Sequence, residues 1–212
     1  MTTTLSAPDV LMLLAPGCPH CPLVLAGLGE LLKRGVIGRL EAVNIERHPE
    51  IAQQHGVRSV PWVRVGEFEL SGTRSSAELE RWAQSAGSVQ GRADYLAELL
   101  KSGMLNQATT ALDANDAYVE ALLLLLADPK TDMHVGVGVG ALFEHLQGSA
   151  LLRRHVDALG VLTRHADARV RADACHYLSL SGERNALRFI EPLLHDADAQ
   201  VREIARESVA LF

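Results

Sequence analysis

Aromatic residues are scarce in this chain, and cysteines are scarcer. Phe, Trp and Tyr make up 4% of the 212 residues, so the core must be built largely from Leu, Ala and Val. Three cysteines are too few for a disulfide scaffold. Clustered basic residues are missing too. A net charge of −6 weighs against nucleic acid or an anionic membrane as the main partner, since both select dense Lys and Arg. No apolar run approaches the ~20 residues that span a bilayer. Leu122–Leu126 is far too short. Residues 1–9 carry no basic residue ahead of a short apolar run, which makes a poor secretory signal. The expected location is cytoplasmic. In a reducing compartment, two close cysteines point to catalysis or metal binding rather than to a structural bridge.

Such a pair is present: Cys18-Pro19-His20-Cys21. The run Val10–Ala15 before it reads as a short buried strand, and Leu23–Leu32 after it as a helix. Gly35 and Gly38 mark the end of that helix. Leu40–Ile45 alternates apolar and polar residues, as a strand does. His48–Gly56 reads as a short helix stopped by glycine. Trp62–Val65 and Phe68–Leu70 flank Gly66-Glu67, a hairpin pattern. Ser75 and Glu78 fit a capping box opening a helix over Leu79–Ala86, with Gly87 to end it. The predicted order is βαβαββα over residues 1–88. Ala86–Gly91 reads as a linker, and residues 92–212 form a second, all-helical domain. Val135-Gly136-Val137-Gly138-Val139 alternates like a strand. The apolar stripe continued by Ala141, Leu142 and Leu146 makes helix the better reading.

The second domain repeats itself. Asp167, Val170, Arg171 and Ala174 recur in register as Asp198, Val201, Arg202 and Ala205, 31 residues on. Asp132 and Val135 are a degenerate earlier copy. A period of this size signals stacked helix pairs, each burying its face on its neighbours. Asp at the turn is placed to cap the next helix, and Val to face the core.

A dithiol at the start of a helix is chemically primed. Pro19 suits the first helical position, where its missing N–H costs nothing. That places Cys18 at the N-cap, where free backbone N–H groups and the helix dipole favour its thiolate. Such settings lower a thiol pKa from ~8.5 to roughly 3.5–7.5. Cys18 is therefore the expected nucleophile, with Cys21, one turn in and less exposed, resolving the mixed disulfide. His20 is either a donor that tunes the Cys18 thiolate or a solvent-facing residue of little consequence.

Three features resemble the thioredoxin superfamily: the Cys18-Pro19-His20-Cys21 motif, Ser59-Val60-Pro61 before a strand, and Gly72 after the last strand. The arrangement is similar to its smaller, glutaredoxin-like members, which lack the leading strand and helix of full thioredoxin. Pro22 fits that comparison. The 31-residue copies resemble HEAT-like repeats. The resemblance implies an α/β thioredoxin-like domain followed by an all-α HEAT-like domain. It also implies a cis-proline at Pro61 beside the dithiol, with the backbone of Val60 pairing with a substrate strand. Trp62 either lines the substrate groove or sits in the core. Thioredoxins carry a buried Asp six residues before the first cysteine and Gly-Pro between the two. Met12 and Pro19-His20 stand at those places here, so thioredoxin's redox potential does not transfer. Gly72-Thr73-Arg74 lacks the Gly-Gly and Cys/Ser-Asp pattern of a glutathione site.

The expected activity is thus thiol–disulfide oxidoreduction on a protein disulfide or dithiol, with a protein partner docked on the repeats. The electron donor is a thiol system, either a thioredoxin reductase or glutathione. A redox-responsive adaptor without turnover is the alternative. No cofactor or metal is called for: Cys18 and Cys21 alone make an incomplete zinc site. His134, His145, His155, His165, His176 and His195 are spread without ligand spacing. Cys175, inside a repeat, is read as a buried structural thiol. Arg171 and Arg202 are read as structural ion-pair residues.

Overall fold

Residues 6–212 are described by a computed structural model. Residues 1–5, part of the stretch read for a secretory signal and of the first predicted domain, lie outside them. The chain divides into two units, Met1–Arg92 and Ala93–Phe212.

The first unit follows the predicted order. Strand β1 (Asp9–Leu14) leads to helix α1 (Cys21–Lys33), β2 (Arg39–Asn44), α2 (Pro49–Gln54), β3 (Trp62–Val65), β4 (Phe68–Ser71) and α3 (Ser76–Ser85). The four strands form one mixed sheet in the order β2-β1-β3-β4. β1 runs parallel to β2 and antiparallel to β3, and β3 and β4 form the hairpin around Gly66, whose φ is +56°. Val10, Met12 and Leu13 of β1 are buried, as a central strand covered on both faces requires. On one side of the sheet Leu13, Val43 and Trp62 pack with Ile45, Ile51, Ala52 and Val57. α1 and α3 pack against each other, and Phe68 meets Trp82 of α3.

Register decides where the loops meet. Leu13 lies opposite Trp62, and Trp62 opposite Ser71. The chain after β1, the chain before β3 and the chain after β4 therefore share one end of the sheet. Those segments carry Cys18, Val60-Pro61 and Gly72.

The Ser75 capping box is formed in full: Glu78 N–H donates to Ser75 Oγ, and the Ser75 N–H donates to Glu78 Oε2 at 2.9 Å. The helix starts at Ser76, three residues earlier than the apolar pattern indicates. The predicted linker is shorter than expected. Val89, Gln90 and Gly91 belong to helix α4 (Val89–Lys101), and Ser88 Oγ accepts from the Gly91 N–H at 2.9 Å. Glu67 of the hairpin accepts from the Gly87 N–H and from Arg92 Nε. Residues 86–88 are thereby tied down. Gly91 sits hard against Ser85: a Cβ there would overlap the Ser85 carbonyl oxygen. Gly91→Ala is expected to destabilise the protein by about 2–3 kcal/mol, read from chemical denaturation.

The second unit is entirely helical among the described residues. It contains α5 (Leu105–Ala114), α6 (Tyr118–Ala127), α7 (Met133–His145), α8 (Ala150–Arg154), α9 (Val156–Leu162), α10 (Ala168–Leu180), α11 (Leu187–Ile190) and α12 (Ala199–Val209). Short 3-10 turns flank α11. The glycine-rich run is helical, within α7. α10 packs on both α7 and α12, and α6 on α9, so successive helix pairs stack.

The repeat seen in sequence is a repeat of bonds. Asp132, Asp167 and Asp198 each cap the next helix, accepting from the N–H two residues on. Val135, Val170 and Val201 are buried beneath them. Arg171 Nη1 donates to the carbonyls of His165 and Ala166, and Arg202 Nη1 to those of Asp196 and Ala197. Arg171 also grips Asp196 with two parallel bonds of 2.8 and 2.7 Å. One helix pair thus holds the turn of the next.

Candidate redox site

Cys18 and Cys21 are joined as a disulfide, with Cα atoms 5.5 Å apart, inside the usual range for that bond. They sit where β1 hands over to α1. Cys21 is 3% exposed, while Cys18 is half-buried and flanked by exposed Gly17 and Pro19. Of the two sulfurs, Cys18 is therefore the one open to a partner.

The helix begins later than the sequence implies. Its first residue is Cys21, not Pro19, and His20 is the N-cap. The reason lies in Pro22. For Cys18 to be the N-cap, its carbonyl would accept from the N–H four residues on, and Pro22 has none. Pro22 takes the first-turn position foreseen for Pro19. The first bond of this kind to close the turn runs from the Val24 N–H to the His20 carbonyl at 3.3 Å. Cys18 still does the work of a cap. Its Sγ accepts from the Cys21 N–H at 3.1 Å, the bond that a Ser or Asp cap makes. A single directed N–H, that of Cys21, thus faces the Cys18 sulfur.

His20 is exposed, with backbone angles of −95° and −19°, and its side chain caps nothing. Met12, at the position of the thioredoxin acid, is fully buried in β1. The Val60-Pro61 bond is cis. Gly72 is drawn to it: its N–H donates to the Pro61 carbonyl at 2.9 Å, and its φ is +80°. Val60 is half-buried and Pro61 buried. Trp62 takes the core position of its two readings, 3% exposed and stacked on His55 at 5.3 Å. The Pro22 constraint, the Gly72–Pro61 bond and the His55–Trp62 stack were missed from sequence. Only the first had a signal there, a proline four residues after Cys18.

This combination is a dithiol at a strand–helix junction, a central strand paired parallel on one side, and a cis-proline opening the antiparallel neighbour. Residues 9–84 match the thioredoxin-domain family. No curated protein matches the chain. Residues 9–84 thus form a thioredoxin-like domain, and a helical region follows it.

Cys175 is fully buried in α10, 3.7 Å from Ser208 Oγ, and burial pushes its thiol up to about 11. It belongs to the packing of α10 against α12. A thiol reagent such as iodoacetamide is expected to leave Cys175 unmodified in the folded, reduced protein and to alkylate Cys18. Peptide mapping reads the site directly. Among the described residues no group of three His, Cys, Asp or Glu is placed to hold a metal ion. No helix among them is long and apolar enough to cross a membrane.

Proposed function

We propose that the protein is a thiol–disulfide oxidoreductase that works through Cys18 and Cys21 on a protein substrate, with the helical unit holding a protein partner. The observation that carries this is the asymmetry of the pair: one sulfur accessible and facing a helix N–H, the other buried one turn in, both at the end of the sheet that bears Val60-Pro61.

In the reducing direction, the open dithiol starts the cycle. The Cys18 thiolate attacks one sulfur of the substrate disulfide. A Cys18–substrate bond forms, and the other substrate sulfur leaves as a thiolate and takes up a proton. The Cys21 thiolate then attacks Cys18 Sγ. The Cys18–Cys21 disulfide closes, and the second substrate thiol is released. Two electrons pass from the pair to the substrate. A thiol donor reopens the pair, by way of a thioredoxin reductase or glutathione. In the oxidising direction the same steps run backwards. Val60, in the cis bond to Pro61, offers backbone to an extended substrate strand, and Gly72, just after β4, donates to the Pro61 carbonyl. The repeating helix pairs, HEAT-like in their pattern of Asp caps and Arg braces, suit a docking surface more than a second active site.

The test is turnover of a protein disulfide with dithiothreitol, or a thioredoxin reductase system, as donor. Turnover supports the proposal, and no reduction with either donor overturns it. Lower activity with glutathione than with the dithiol is expected, because Gly72-Thr73-Arg74 lacks the usual glutathione-binding pattern. Equilibration of the pair against glutathione gives the direction: a potential near about −270 mV marks a reductant, and one near about −120 mV an oxidant. The adaptor alternative is favoured by the size of the helical unit, the larger of the two. Partner capture that survives Cys18→Ser, with cellular function intact, would select it.

A further inference from the structure

At the α7–α10 seam, two polar groups make no hydrogen bond among the described residues. Asp173 of α10 is half-buried and makes no hydrogen bond or ion pair among the described residues. One turn on, Tyr177 is 6% exposed, and its hydroxyl makes no hydrogen bond among them either. Tyr177 lies flat on Phe143 of α7, with ring centroids 4.3 Å apart. Its hydroxyl reaches over Gly140, where a Cβ would stand 3.1 Å from the oxygen. Glu144, one turn further along α7 and exposed, adds a second carboxylate within electrostatic reach of that hydroxyl.

The nearby cations do not close the site. Arg169, one turn before Asp173, passes Gly136 and donates through Nη2 to the Pro129 carbonyl at 3.2 Å. His176 is exposed, its ring 5.5 Å from that of Tyr177. Burial outweighs both, and the Asp173 carboxyl is held above its ordinary value. The Asp173 carboxylate and the Tyr177 hydroxyl are left with open acceptor sites that a donor from outside can reach. The same face of α7 continues into Met133 and Val137, 73% and 72% exposed. They follow the spacing of Gly140 and Glu144, so apolar and acidic parts form one stripe.

We propose that this seam docks a protein partner through a basic side chain, Arg or Lys, that enters between Asp173, Tyr177 and Glu144, while an adjacent apolar residue of the partner covers Met133 and Val137. The proposal rests on the reading of the helical unit as a docking surface and gives that surface a place and a chemistry. Charge complementarity selects the occupant: two carboxylates and a phenol oxygen offer acceptors to the donors of a guanidinium or ammonium group. The exposed apolar pair distinguishes a polypeptide from a free amine.

The probe is a phage-displayed library of random heptapeptides selected on the reduced, full-length protein. Enriched sequences are expected to carry Arg or Lys beside an apolar residue. Their affinity, measured by calorimetry, is expected to fall at least tenfold for Asp173→Asn and for Tyr177→Phe. Both changes conserve shape, and circular dichroism confirms an intact fold. Three outcomes overturn the proposal: no enrichment, enrichment without a basic residue, or equal affinity for wild type and both variants. Reduction of a small model disulfide is measured alongside. If the peptides behave as expected but disulfide exchange is absent, the oxidoreductase reading falls and the docking site stands. If exchange proceeds without the peptide result, only the docking site falls.

Discussion

Replacing Cys18 with serine is expected to lower disulfide exchange by at least about 10³-fold, because a hydroxyl at neutral pH supplies almost no anion to attack sulfur. Cys21→Ala is expected to stop the same reaction one step later. Cys18 would still attack, and the covalent Cys18–substrate species would accumulate for want of a resolving thiol. Intact-mass spectrometry under non-reducing conditions reads both results. Cys18→Ser should show no adduct, and Cys21→Ala an adduct that dithiothreitol releases. An adduct on the Cys18→Ser variant instead would reverse the assigned roles. The prediction follows from exposure and bonding. Cys18 is the open sulfur and accepts the Cys21 N–H, whereas Cys21 is 3% exposed. Cys175 does not stand in for either, since it is fully buried and its thiol is pushed up to about 11.

The largest expected loss of stability is at Arg171. Its side chain is 15% exposed and that of Asp196 9% exposed, and the two share a bidentate ion pair. Arg171→Ala would leave the Asp196 carboxylate nearly buried without its main partner and would strip donors from the His165 and Ala166 carbonyls. The expected cost is about 3–4 kcal/mol. Arg171→Lys should recover only part of it, because an ammonium cannot make the two parallel bonds. A double-mutant cycle with Asp196→Ala should be strongly non-additive. The pair also sets a pH dependence. The hydrogen bond from Arg171 holds the Asp196 carboxyl below its ordinary value. A lowered native pKa gives stability that is complete above the ordinary carboxylate pKa of about 3.9 and is lost as pH falls through the native value. Arg171→Ala should flatten that acid limb. Denaturation midpoints between neutral pH and about pH 3 show the difference.

Much of the fold was legible because local signals and tertiary packing agree in it. Ser75 with Glu78, Gly66 in the hairpin and the Asp132, Asp167 and Asp198 caps are short-range chemistry, readable wherever they occur. The βαβαββα order follows from alternation and turn residues alone. The candidate site was legible in its residues and less so in its geometry. The helix start was misplaced by two residues because Pro19 was weighed and Pro22 was not. A proline acts on the carbonyl four residues back as much as on its own position. The Gly72 N–H to Pro61 bond could not be read, since it depends on the pairing register of β3 with β4. Trp62 was undecided for a related reason. Burial of a residue next to a cis-proline depends on what α2 lays over it, and His55 is a long-range contact. Asp173 and Tyr177 went unnoticed as a pair because their lack of partners is a property of the assembled seam.

Met12 has a consequence in time. Fully buried in β1, it has no group to accept a proton. In the proposed cycle the proton of Cys21, itself almost fully buried, then has to pass to another base, the departing substrate thiolate or a base of the medium, before Cys21 attacks Cys18. On that reading the covalent complex with a substrate would last as long as this proton transfer takes. It should persist longer as pH falls and shorten as buffer base is added. The missing acid would then show as a clock on release, not as a loss of capture.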